Sequence, residues 1–246
     1  MSYPKVIANW KMNGSKEAIQ IWLEGFANEI NPTAQKECLF CPPVIYLETA
    51  KTVIRDKDLN LSLGAQNLDI DSLHSQTGAV SASMLKDVGC EFVIIGHSER
   101  RTVFNEDNLL LRTKVISALE GNLTVVFCVG EIEKEDSTSK DLIRKQLEAL
   151  KDSCKPKIII AYEPLWAIGT GEIPTGSYLN DMHAFIKDEL KYILDKDQDF
   201  SVYYGGSINA ENANDLMNLD CVDGLLVGGA SLDSSSFVQI INKIYS

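Results

Sequence analysis

At 246 residues, 45% hydrophobic and 24% charged, the chain is long enough to bury a large core without disulfide or metal staples. A net charge of -12 argues against a nucleic-acid partner, whose phosphates need a basic face, and no apolar run approaches the roughly 18 residues that span a bilayer. Nothing in the stretch from Met1 to Lys11 reads as a signal peptide, so a soluble, cytoplasmic protein with no membrane partner is expected.

The first predicted strand is Lys5–Trp10. A turn through Gly14 follows, then Ser15 as N-cap of a helix with Ile19, Trp22, Leu23, Phe26 and Ile30 at helical spacing. Asn31-Pro32 stops that helix. The second strand is Cys38–Cys41, ended by Pro42-Pro43, and Val44–Arg55 reads as a helix. The third strand is Leu59–Ala65. A long polar segment, Asp69–Val80, carries His74 and Thr77, and a short helix covers Ser81–Asp87. The fourth strand is Phe92–Ile95, followed by Gly96-His97 and a helix over Asn105–Leu119 that Gly121 terminates. Thr124–Cys128 is the fifth strand, and Thr138 with Asp141 three residues on is read as the N-cap of the next helix. The sixth strand, Lys157–Ala161, leads to Glu163-Pro164. The seventh, Phe200–Tyr204, exits through Gly205-Gly206-Ser207. The eighth, Asp223–Val227, exits through Gly228-Gly229 and is followed by a helix lined by Phe237, Ile240, Ile241 and Ile244.

These strands are short, continuous and apolar, as parallel strands buried on both faces should be. Eight strand–helix units with no linker or low-complexity tract point to a single α/β domain over residues 1–246, a (β/α)8 barrel. The competing open, doubly wound sheet needs a Gly-rich fingerprint at a helix start. Gly169-Thr170-Gly171 does not supply it, because Pro174 stands where a third glycine would fall. Cys38 and Cys41 form a C-x-x-C, but three residues apart on a strand they face opposite sides. With Cys90, Cys128, Cys154 and Cys221 they read as reduced core cysteines.

In such a barrel the strand C-termini converge on one face, which is where chemistry is sought. They present Asn9, Lys11, His97, Glu163, Ser207, Gly228 and Gly229. Glycines after the seventh and eighth strands let backbone N–H groups approach a phosphate. His97 opens a short helix, whose N-terminus disfavours a positive imidazole. His74, in a polar loop, and His183, beside an apolar helix face, read as structural. The segment Pro164–Thr170 is a short apolar loop closing on glycines, a flap able to expel water from a site next to Glu163. No Walker pattern or H-E-x-x-H is present, and no cofactor or metal is expected.

Asn9-Trp10-Lys11-Met12-Asn13, Ala65-Gln66-Asn67, Gly96-His97-Ser98-Glu99-Arg100-Arg101, Ala161–Gly171, Tyr204-Gly205-Gly206-Ser207 and Val227–Leu232 resemble the triosephosphate isomerase family, in order and over essentially the whole chain. The resemblance implies interconversion of dihydroxyacetone phosphate and D-glyceraldehyde 3-phosphate through an enediolate. Glu163 is then the base and His97 a neutral electrophile, the established pairing in this family. Lys11 would offset negative charge and Asn9 orient the substrate. Gly169, Ser207, Gly228 and Gly229 would hold the phosphate. The resemblance also implies that Glu99 supports the site near Lys11, that Tyr204 latches the flap, and that a homodimer forms through the loop around Thr77. Ala79 departs from the acid usual after that Thr-Gly, which leaves Arg100 without the partner that acid would supply across the interface. A Schiff-base aldolase using Lys11 and a non-catalytic phosphate-binding barrel are the alternatives.

Overall fold

The computed structural model describes residues 3–70, 76–134, 138–151, 153, 157–194 and 199–245. Eight strands, β1 Val6–Asn9, β2 Cys38–Cys41, β3 Ser62–Ala65, β4 Phe92–Ile95, β5 Thr124–Val129, β6 Ile158–Tyr162, β7 Ser201–Gly205 and β8 Gly224–Val227, pair in parallel and in sequence order. β8 returns to β1, with Leu225 opposite Val6 and Val227 opposite Ala8, so the barrel is closed and no edge remains. The described helices are α1 Lys16–Glu29, α2 Leu47–Asp56, α3 Ala82–Val88, α4 Ser98–Thr102, α5 Asn108–Glu120, α6 Ser139–Leu147, α7 Gly176–Leu194, α8 Ala213–Met217 and α9 Ser234–Ile244.

Strand residues alternate between two cores. Ile7, Leu39, Cys41, Ile94, Val126, Cys128, Ile159, Ala161, Tyr203 and Leu226 fill the barrel interior. Val6, Ala8, Cys38, Phe40, Val93, Ile95, Val125, Phe127, Ile158, Ile160 and Val202 pack outward with the helices. Cys38 and Cys41 fall in different cores, as the two-residue strand period requires. Cys154 and His74 lie outside the described residues. Inside the barrel Tyr203 sits opposite Gly224, where a Cβ would come within 2.7 Å of its ring. Its hydroxyl donates to Pro4 O at 2.6 Å.

Helix α1 forms as its spacing predicts, with Ser15 Oγ accepting from Ala18 N at 3.0 Å. Trp22 stacks between Phe26 and Phe40 and meets Trp10 edge-on. Both indoles donate to Ser231 O, at 3.0 and 2.9 Å. The aromatic core thereby fixes the turn after β8, where Ser231 Oγ donates to Gly228 O at 2.7 Å.

Several element boundaries differ from the sequence expectation. β3 starts at Ser62 rather than Leu59, because Asn60 N donates to Gln35 Oε1 instead of joining a ladder. The segment expected as one helix from Val44 opens with a 3₁₀ turn, Val44–Tyr46, before α2. α5 begins at Asn108, capped by Asp107; Asn105 has φ 53°, a left-handed conformation that no helix accommodates. Thr138 precedes α6 but makes no side-chain cap, since its own backbone is already near-helical.

His183, on α7, is fully buried, its Nδ1 3.0 Å from Cys221 O and its ring edge-on to Tyr162. Burial pushes its pKa down to about 4. The unfolded chain therefore takes up this proton near pH 6.5 while the folded chain refuses it, so stability is complete above that pH and falls as pH drops toward 4. A loss of about 3 kcal/mol over that window is expected. Denaturant titrations at the two pH values check it, and His183→Gln should flatten the slope.

Candidate active site

Each strand end delivers one part of the site. Glu163 follows β6, and its amide donates to Val129 O at 2.7 Å, so the residue is anchored as an extension of the ladder to β5. Its carboxylate is buried, 3% exposed. Oε1 lies 3.1 Å from His97 Nε2, and Oε2 accepts from Ser98 N at 3.1 Å. Burial alone would raise the pKa of Glu163, but the His97 ring, the Ser98 amide and the Cys128 thiol more than offset it and hold the group ionised below the usual value.

His97 is the N-cap of α4, and its Nδ1 accepts from Glu99 N at 3.2 Å. The proton therefore resides on Nε2, which donates to Glu163. Burial lowers the pKa of the ring, yet the adjacent Glu163 carboxylate raises it by more, and the net shift is upward. That push depends on Glu163 staying in contact. Apart from that contact, burial and Lys11 favour the neutral ring and Glu99 the charged one. Gly96, at φ 74°, turns the chain into this position, where Arg101 binds Gly96 O at 2.8 Å and Cys128 O at 3.0 Å.

Lys11 has φ 52°, an uncommon conformation for a non-glycine residue. It is held there from three sides. Asn9 Oδ1 accepts from its amide at 3.1 Å, Gln66 Nε2 donates to its carbonyl at 3.0 Å, and its ammonium pairs with Glu99 Oε1 at 2.8 Å. Gln66 also donates to Cys41 O, which ties the Lys11 turn to β2.

Two adjoining cavities share Lys11, Ile168, Gly206 and Gly228. The smaller, about 30 Å³, is lined by Asn9, His97 and Glu163. The larger, about 330 Å³, is lined by Gly169, Ser207, Gly229 and Ala230. All eight site residues expected from the sequence, Asn9, Lys11, His97, Glu163, Gly169, Ser207, Gly228 and Gly229, border one or both of these adjoining cavities.

The flap crosses above it. Leu165–Ala167 forms a 3₁₀ turn, and Gly169 and Gly171 take φ of 70° and 80°. Ser207 Oγ donates to Ala167 O at 2.8 Å and accepts from Gly171 N at 3.2 Å, so this hydroxyl already grips the flap. The latch implied for Tyr204 is not seen. Its hydroxyl is buried beneath Gly206, toward the Ser207 backbone, and makes no hydrogen bond to a described flap residue. Tyr204→Phe is therefore expected to change kcat/KM by less than about twofold. Steady-state kinetics check this, and a tenfold loss would restore the latch.

The family model described as triosephosphate isomerase matches residues 4–244. The chain belongs to the triosephosphate isomerase family. The triosephosphate isomerase of Ruthia magnifica subsp. Calyptogena magnifica is 41% identical over 242 residues, 96% of each chain. That of Nitrosococcus oceani is 38% identical over 98% of each. Among solved structures, triosephosphate isomerase from Bartonella henselae superposes with a TM-score of 0.87 at 36% identity, covering both chains completely. The protein is thus an isomerase of triose phosphates on a (β/α)8 barrel, the glycolytic role of this family.

Sequence reasoning missed Glu131. It stands just past the end of β5, is 2% exposed, and its Oε1 accepts from Tyr162 Oη at 2.8 Å, Trp166 Nε1 at 2.8 Å and Tyr178 Oη at 3.2 Å. A signal was present, since a carboxylate just beyond a strand end is the same feature that singled out Glu163.

Proposed function

We propose that Glu163 is the base, His97 the electrophile and Lys11 the charge-stabilising cation of triose phosphate isomerisation, with Asn9 orienting the substrate. The single observation behind this reading is the convergence of all three groups on one cavity that continues into a Gly-lined chamber. In that chamber the backbone N–H groups of Gly169, Gly228 and Gly229 hold the phosphate dianion, with the Ser207 hydroxyl turning its one proton from Ala167 O to the phosphate. The chain carries a net charge of -12, so the attraction is local and Lys11 supplies it at the junction of the two spaces.

Substrate displaces the carboxylate from His97 and Ser98 N–H. Glu163 then removes the proton from the carbon beside the carbonyl, and His97 Nε2–H hydrogen-bonds the oxygen that gains charge. His97 relays a proton between the two oxygens, and Glu163 returns the abstracted proton to the former carbonyl carbon, which completes the conversion of ketose to aldose. Closing the flap excludes water and holds the phosphate, which suppresses its elimination from the enediolate. The aldolase alternative needs a lysine activated by desolvation. Lys11 instead pairs with Glu99 at 2.8 Å, and its side chain is 28% exposed. A coupled assay of both directions is the direct test, and absence of turnover overturns the reading.

The proposed acting unit is the single domain spanning residues 1–246, working in the cytoplasm. Among the described residues no helix is long and apolar enough to cross a membrane. It acts as a homodimer. The loops after β1 to β4 expose Met12 (96%), Ile45 (72%), Val103 (68%) and Phe104 (59%) on one sector of the rim that also bears Thr77. Exposed apolar groups clustered in this way favour a second copy as cover. Arg100 already has an intrachain partner in Glu106, so the acid replaced by Ala79 leaves no charge stranded. Sedimentation at micromolar concentration should report a dimer, and a monomer contradicts this assembly.

A further inference from the structure

The segment that follows β5 grips the flap at both ends. Glu131 holds the leading end, its carbonyl accepting from Leu165 N at 2.8 Å and its carboxylate from Trp166 Nε1 at 2.8 Å. Three residues further on, Lys134 extends an ammonium both to Trp166 in the flap and to Glu172 just beyond it. Nζ lies 5.1 Å from the centroid of the Trp166 ring and 3.1 Å from Glu172 Oε2. Trp166 opens the flap and Glu172 follows its last glycine, so one side chain bridges the departure and the return of the loop. Between them the flap closes on itself, with Thr170 Oγ1 donating to Trp166 O at 3.1 Å and accepting from Glu172 N at 3.2 Å.

We propose that Lys134 is a positioning residue that staples the two ends of the flap together and so keeps it seated over the enediolate. This rests on the reading of Pro164–Thr170 as the lid of the site. The staple is electrostatic and more than half exposed, so its effect is modest and sensitive to salt. It touches neither substrate nor reacting atoms. Its role shows in what escapes. An unseated flap lets the enediolate expel inorganic phosphate: the C–O bond to phosphate breaks, its electron pair leaves with the phosphate, and the enol of a 2-oxoaldehyde remains.

The test compares wild type, Lys134→Met, Lys134→Arg, Glu172→Gln, the Lys134→Met/Glu172→Gln double variant and Ser207→Ala. Inorganic phosphate released per turnover, kcat and KM are measured at low and high ionic strength. Lys134→Met should raise phosphate release about three- to tenfold and raise KM more than it lowers kcat, with an unchanged melting temperature. Lys134→Arg should keep release low. Adding Glu172→Gln to Lys134→Met should change nothing further, because the two act through one contact. High salt should bring wild type toward the Lys134→Met value. Release within twofold of wild type in Lys134→Met, or additive effects in the double variant, overturns the staple. If Ser207→Ala raises release while Lys134→Met does not, the lid stands and the staple falls; if neither does, both fall.

Discussion

Glu163→Asp is expected to fold normally and to lose about a hundredfold or more in kcat with little change in KM. The substitution withdraws the carboxylate by one methylene, and a misplacement near 1 Å at a reacting group costs about that much in rate. Nothing around it can follow the shortened side chain. Gly205 closes on Glu163 from β7, where an added Cβ would lie 3.1 Å from Glu163 Cγ, and the backbone of Glu163 is pinned to Val129 O. The cavity proposed to take the phosphate, lined by Gly169, Gly228 and Gly229, is untouched, so substrate affinity is expected to survive. A coupled assay with circular dichroism on the same samples reads both halves of the expectation. Wild-type kcat in the folded variant removes Glu163 as the base.

Gly130→Ala should cost activity on the same scale by a different route. A Cβ at Gly130 would stand 1.8 Å from Glu163 O and 2.5 Å from its carbonyl carbon. Gly130 cannot retreat, because the Gln146 carboxamide binds both its N–H, at 2.8 Å, and its C=O, at 3.0 Å. The Glu163 backbone must give instead, by more than an ångström, and it carries the base out of position. A kcat about a hundredfold lower is expected, with about 1–3 kcal/mol of overpacking strain. The melting temperature separates the two variants: it falls in Gly130→Ala and holds in Glu163→Asp. Normal kcat and stability in Gly130→Ala would falsify the claim that this backbone contact sets the position of the base.

Both predictions act through Glu163, yet they differ in how readable they were. Glu163 is visible in the sequence because a carboxylate followed by proline ends an apolar strand. Gly130 is one glycine among 16 in the chain, and nothing in its neighbours states that the backbone of Glu163 passes 1.8 Å from the Cβ it lacks. Gln66 and Glu131 make the same point. Each is a polar residue near a strand end, and its partners, Lys11 O and Cys41 O for one and Trp166, Tyr162 and Tyr178 for the other, lie 25 to 55 residues away in the chain or come from three separate elements. Tyr204 is a different case. The motif match implies a latch from it, while in this conformation the flap bonds are carried by Ser207.

Local chemistry by itself determined the order of strands and helices, the closure into a barrel, and the identity of Lys11, His97 and Glu163 as the groups at its mouth. These follow from side-chain period, from capping and from glycine or proline at strand ends, all of which act within a few residues. The tertiary structure alone decided how those groups are held: Lys11 fixed in a left-handed turn by Gln66 and Glu99, Glu163 kept ionised by His97 and the Ser98 amide, and the flap tied to Ser207, Glu131 and Lys134. The physical reason is range. Period and propensity are properties of neighbours along the chain, whereas hydrogen bonds, ion pairs and close backbone approaches are made between neighbours in space, and only the closed barrel brings these together.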